Sequence, residues 1–123
     1  MATVSFVGTG EAFDPELPNT SVLYRGGIRL LVDVGPTVPQ ALFRARLDPE
    51  FLDAIYLTHR HADHTFGLPA LLLWMKEEGR KRPLEVISGT GVGPFVTALL
   101  ELGYPGSYLD AFPILPVELE PGA

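Results

Sequence analysis

All three histidines of this 123-residue chain fall within seven consecutive positions, Thr58-His59-Arg60-His61-Ala62-Asp63-His64. They follow directly on Ala54-Ile55-Tyr56-Leu57-Thr58, an apolar run of the length expected of a buried strand. A core strand that ends in imidazoles and a carboxylate constrains the fold, because polar chemistry must emerge at the carboxyl end of that strand. Along an extended segment, residues two apart project to the same side, so His59 and His61 can converge on one point. Asp63 and His64 come where the chain turns towards the next helix, and can point at a second position beside the first. Imidazole with carboxylate suits zinc, iron or manganese better than magnesium or calcium. Two such ions, about 3.5–4 Å apart, would hold a water as hydroxide, a nucleophile at neutral pH that needs neither serine nor cysteine.

Two plainer readings stand beside this one: a solvated loop with incidental histidines, and a purely structural metal site. Structural zinc favours thiolates in a closed four-ligand shell, and the chain contains no cysteine. The same absence excludes disulfides and thiolate zinc fingers.

The rest of the chain reads as alternating strand and helix. Thr3 to Val7 is a short β-rich run ending at Gly8-Thr9-Gly10, and Glu11 to Asn19, with Pro15 and Pro18, is a surface loop. Ser21 to Arg25 and Ile28 to Val34 form a hairpin, which Gly26-Gly27 would close with positive backbone angles. Pro36 to Pro39 breaks the second strand, and Gln40 to Leu47 has helical spacing. Phe66 to Glu78 is a buried helix with Pro69 in its first turn and Gly79 as its stop; Trp74 and Met75 are core residues. Arg80 to Arg82 reads as a solvated helix end. Leu84 to Ile87 is a strand, and Gly89-Thr90-Gly91-Val92-Gly93 is a tight turn, favoured over a phosphate cradle because no P-loop lysine follows. Pro94 opens a second helix that Gly103 closes. Phe112 to Leu119, carrying Pro113 and Pro116, reads as an edge or irregular strand. This order predicts an α/β fold with a mixed sheet.

Length and a hydrophobic content of 46% fit one small domain over residues 1–123. No stretch approaches the roughly 20 apolar residues that span a bilayer. Met1 to Val7 lacks the pattern of a signal peptide, so a soluble, cytoplasmic protein without a membrane partner is expected. The formal charge of -6 argues against sequence-independent nucleic-acid binding. It does not exclude an enzyme acting on a phosphodiester, since metal ions can supply local positive charge.

His59-Arg60-His61-Ala62-Asp63-His64 after a buried strand resembles the signature of the metallo-β-lactamase superfamily. Phe66-Gly67-Leu68-Pro69-Ala70-Leu71-Leu72, with Gly8-Thr9-Gly10, Asn19-Thr20-Ser21 and Leu31-Val32-Asp33-Val34-Gly35, resembles its ribonuclease Z and related phosphodiesterase branch. The resemblance implies a metallo-β-lactamase-like αβ/βα sandwich, of which residues 1–123 match the N-terminal half. It implies that His59 and His61 bind a first metal and Asp63 and His64 a second, with zinc the expected ion and manganese or iron the alternatives. Asp63 would also handle a proton, and Asp33 would brace the metal loop through hydrogen bonds.

The implied activity is hydrolysis of phosphodiester bonds, in RNA or in a small molecule. Hydrolysis of a lactone, thioester or carboxylic ester at the same site is the alternative, and a non-enzymatic metal-binding half-domain is a third. Ribonuclease Z usually continues its Asp-x-Gly with Glu-Gly-Thr-Gln, whereas Pro36-Thr37-Val38-Pro39-Gln40 follows Asp33-Val34-Gly35 here. That departure points to a less specialised phosphodiesterase. The second half of the superfamily fold brings further histidine and aspartate ligands, yet no histidine follows His64, and Val117 to Ala123 resembles the middle of such a domain. The expectation is therefore a fragment, a partner half on another chain, or a homo-oligomer that covers the exposed sheet.

Overall fold

The computed structural model describes residues 1–106 and 110–120; Pro121 to Ala123, the end of the segment read as mid-domain, lie outside the described residues. Six strands form one mixed sheet in sequential order: β1 (Thr3–Gly8), β2 (Ser21–Arg25), β3 (Arg29–Val32), β4 (Ala54–Tyr56), β5 (Leu84–Ser88) and β6 (Ile114–Glu118). β1 to β3 pair antiparallel, and β3 to β6 pair parallel. Each parallel step needs a crossover. These are supplied by α1 (Val38–Arg44), by α2 (Ala62–Thr65) with α3 (Leu68–Glu77), and by α4 (Val92–Gly103).

One face of the sheet carries Leu23, Leu31, Ile55 and Val86 in a single register row. Together with Leu42, Leu68, Leu71, Leu72, Met75, Val96 and Leu99 from the helices, these residues make the core. The opposite face carries a second row, Phe6, Val22, Val32, Tyr56, Ile87 and Val117, outside that core. Phe6 on that face is 71% exposed and Leu115 45%. Helices therefore cover one side of an apolar sheet, and the other side stays partly open.

Several boundaries differ from the sequence reading. α1 begins at Val38 and not at Gln40, because Pro39 fits the first helical turn, where its missing N–H costs nothing. α4 likewise starts at Val92, two residues before Pro94. The β2–β3 hairpin closes through Gly26, Gly27 and Ile28 between the paired Arg25 and Arg29, and neither glycine has positive φ. A Cβ on Gly26 would meet the outer end of the Tyr24 ring, which would have to swing aside.

The largest correction concerns Arg80, which is fully buried and not solvated. Its guanidinium donates to the carbonyls of Pro49, Leu52, Arg82 and Pro83 at 2.8–3.0 Å. Burial pulls its pKa down from the usual arginine value, though a guanidinium remains charged. Gly79, at φ +90°, ends α3 as expected. β6 lies at the sheet edge with Pro116 opposite Val86, where a missing backbone donor is tolerated.

Candidate metal centre

The centre lies at the carboxyl end of the parallel strands, where β3 and β4 release their chains side by side. Asp33 follows β3 directly and adopts φ 65°, a left-handed conformation that aspartate tolerates better than most residues. Its backbone is held by its own N–H donating to Tyr56 O at 2.8 Å and by the Ser21 hydroxyl donating to its carbonyl at 2.8 Å. Strain of this kind persists only where the surroundings over-determine the position. The result is a carboxylate, 5% exposed as a residue, aimed across at the loop after β4.

That carboxylate is fully engaged. Oδ1 accepts from Thr58 N at 2.7 Å, while Oδ2 accepts from the Thr58 hydroxyl and faces His64 Nδ1, both at 2.7 Å. The single Thr58 hydroxyl proton goes to Asp33, so Thr58 Oγ1 is left to accept from His59 Nδ1–H at 2.9 Å. Each of these two imidazoles thus has its Nδ1 engaged, and its Nε2 is the nitrogen turned away from Asp33 and Thr58. This is the arrangement by which an outer carboxylate orients a metal-binding histidine.

The rings are close. The His59 centroid is 4.1 Å from that of His64 and 4.7 Å from that of His61. His64 Nε2 lies 3.3 Å from Asp63 Oδ2. Tetrahedral ligands about 2.0–2.1 Å from zinc sit about 3.3 Å from one another, so this pair has the spacing of two donors sharing one ion. Asp33, His59 and His64 each offer a donor atom within 4.8 Å of the others'. Asp33 belongs to that group by distance, but its Oδ2 already serves two hydrogen-bonding partners, which suits a brace better than a ligand. Imidazoles with a carboxylate are donors that suit zinc, manganese or iron. Among the described residues those grouped at ligand spacing are Asp33, His59 and His64, while His61 and Asp63 lie outside that group.

Backbone packing brings the two chain segments together. Val34 N–H donates to His64 O at 2.8 Å and Gly67 N–H to Val34 O at 2.9 Å. A Cβ on Gly35 would collide with the Asp63 carbonyl, and one on Gly67 with the Gly35 carbonyl. Asp63 and His64 occupy α2, a single helical turn with His61, still extended at ψ 147°, as its N-cap. The sequence reading assigned no role to Thr58, Gly35 or Gly67. Thr58 sits next to the first histidine, and the two glycines flank the polar segments, which was the available signal.

A mixed sheet with helices on one face, and a histidine–aspartate loop at its carboxyl edge, defines a metallo-β-lactamase-superfamily chain of the ribonuclease Z-like N-terminal-half type. The sequence profile of the anti-Pycsar protein Apyc1 family matches residues 2–104, and the chain belongs to that family. It is 33% identical over 124 residues to ribonuclease Z of Methanosarcina acetivorans, covering 99% of this chain and 40% of that protein. It is 35% identical over 92 residues to the anti-Pycsar protein Apyc1 of Saccharibacillus brassicae, covering 74% of this chain and 38% of that one. Among solved structures, human tRNase Z, short form, superposes with a TM-score of 0.80 at 31% identity, covering 100% of this chain and 47% of that chain. The chain thus spans about two-fifths of the length of the curated relatives it matches. It belongs to a family of metal-dependent hydrolases. Among the described residues, no helix is long and apolar enough to cross a membrane.

Proposed function

We propose that this chain provides the principal metal-binding loop of a phosphodiester hydrolase with a two-metal centre. In this reading His59 and His61 hold one ion, and Asp63 and His64 hold the other. The observation that carries it is the Asp33–His64–Asp63 row: one imidazole nitrogen is pinned by a buried carboxylate and the other faces the half-buried Asp63 carboxylate at 3.3 Å. When bound, the ions would supply Lewis acidity and lower the pKa of a coordinated water.

The chain's own residues do the rest. Asp33 fixes the orientation of His64 directly and that of His59 through the Thr58 hydroxyl. In this reading Asp63, half-buried beside His64, takes up or releases a proton during hydrolysis. The acidic balance of -6 favours a small phosphodiester, for which a cyclic nucleotide is a compact candidate, over a long RNA that would need extended phosphate contacts. The match to the anti-Pycsar family supports the same preference.

The test is turnover of a panel containing bis(p-nitrophenyl) phosphate, cyclic nucleotides, a lactone and a thioester. Phosphodiester cleavage that falls at least about 100-fold in Asp63→Ala, with the fold intact by circular dichroism, is expected. Cleavage confined to the lactone or thioester, or full activity in Asp63→Ala, would overturn the proposal.

A further inference from the structure

Arg60 stands between His59 and His61, and in an extended stretch its side chain must leave on the side opposite theirs. It reaches the turn between β5 and α4. There Nη2 donates to Thr90 O at 2.6 Å and to Gly89 O at 3.3 Å. The guanidinium also lies over the Phe95 ring, 5.2 Å from its centroid. Hydrogen bonds from a charged donor are about twice as strong as neutral ones, and a planar fork is pre-organised for carbonyls.

The receiving turn is shaped for this contact. Gly91 adopts φ 84°, and a Cβ there would stand only 3.3 Å from Arg60 Nη1. The turn is fastened in its own right by Gly91 N–H donating to Glu118 Oε1 on β6 at 2.7 Å. Residues 89–93, read from sequence as a tight turn, thus present carbonyls to Arg60 and an N–H to Glu118.

We infer that Arg60 is a positioning residue: anchored on the β5–α4 turn, it fixes the extended His59–His61 stretch so that both imidazoles face the Asp33–His64 side. The inference rests on the metal reading proposed above. Without the anchor the loop keeps its ligands but must be ordered by the ion itself, which weakens binding without changing the donor set.

The experiment measures zinc affinity of the full chain by competition with a chromogenic chelator, alongside thermal melting of the metal-free protein. Arg60→Met keeps the length and the contact with Phe95 but removes the donors. It should lower zinc affinity about 10–100-fold, with the metal-free Tm within about 3 °C of the parent. Arg60→Lys, which keeps the charge without the planar fork, should recover part of that loss. Unchanged affinity in Arg60→Met overturns the inference, as does a loss matched by an equal fall in metal-free stability and not relieved by lysine. Where Arg60→Met fails to fold, Arg60→Lys and Arg60→Gln decide, with lysine binding more tightly than glutamine expected and equal affinities fatal. Zinc binding lost in His59→Ala but intact in Arg60→Met sinks this inference alone. A parent chain that takes up no zinc removes the metal reading and this inference with it.

Discussion

Two polar clusters sit at opposite ends of the sheet and do opposite things with their charge. At the amino end of β4, Arg80 places its guanidinium on four carbonyls, and Arg82 donates to Asp53 at 2.6 Å and to Leu52 O at 3.0 Å. Arg29 adds an ion pair with Asp53 at 3.5 Å and lies over Phe51. These groups are nearly saturated; among the described residues, Arg82 Nε is the buried side-chain atom without a partner. At the carboxyl end, by contrast, the Nδ1 atoms of His59 and His64 are engaged, His64 Nε2 faces Asp63 at 3.3 Å, and His59 Nε2 has no hydrogen bond among the described residues. A polar cluster that satisfies itself is architecture, while one that orients its members and leaves lone pairs free is prepared for something not of the chain.

That contrast is open to attack from either end. Arg80→Ala should have the largest effect on stability. It empties a fully buried side-chain site and takes their guanidinium donor from the carbonyls of Pro49, Arg82 and Pro83, while Leu52 O keeps Arg82, so unfolding free energy in urea should fall by roughly 3 kcal/mol. Zinc affinity of the remaining folded protein should be unchanged, and a selective loss of zinc instead would erase the distinction between the two ends.

A smaller effect should come from acid. The Arg82 guanidinium, with Arg29 assisting, holds the Asp53 carboxyl at about 2, below its ordinary value of 3.8. A depressed carboxyl stabilises the fold in full above its unfolded pKa and loses that contribution as pH falls through the folded one. The Asp53 contribution should therefore be present above about pH 4 and disappear between about 4 and 2. Urea titrations of Asp53→Asn across that window should show a shallower pH dependence than the parent; an identical slope would place the acid sensitivity elsewhere.

The sequence was informative about the loop and misleading about the arginines for one physical reason. Asp63, His64 and the residues around them are joined by short-range chain geometry, so their proximity follows from spacing alone. The strand Ser21–Arg25 was legible for the same reason, since alternation and the glycine pair mark it locally. Arg80 owes its burial to Pro49 and Leu52, carbonyls 31 and 28 residues away in sequence. A run of three basic residues after a helix carries no trace of such partners. Asp33 was legible as a brace only through resemblance. The left-handed turn and the Thr58 hydroxyl that make it one emerge from the pairing of β3 with β4. Pro39 misled in the other direction, because a proline that ends one strand can equally open the next helix.

The central claim is that the loop after β4 is a metal centre, and the most direct measurement is the metal content of purified protein by elemental analysis. The parent should retain zinc or a comparable divalent ion after gel filtration. The His59→Ala, His64→Ala double variant, folded by circular dichroism, should retain none. Equal metal content in both proteins, or a parent that holds no metal when supplied with zinc, would contradict it.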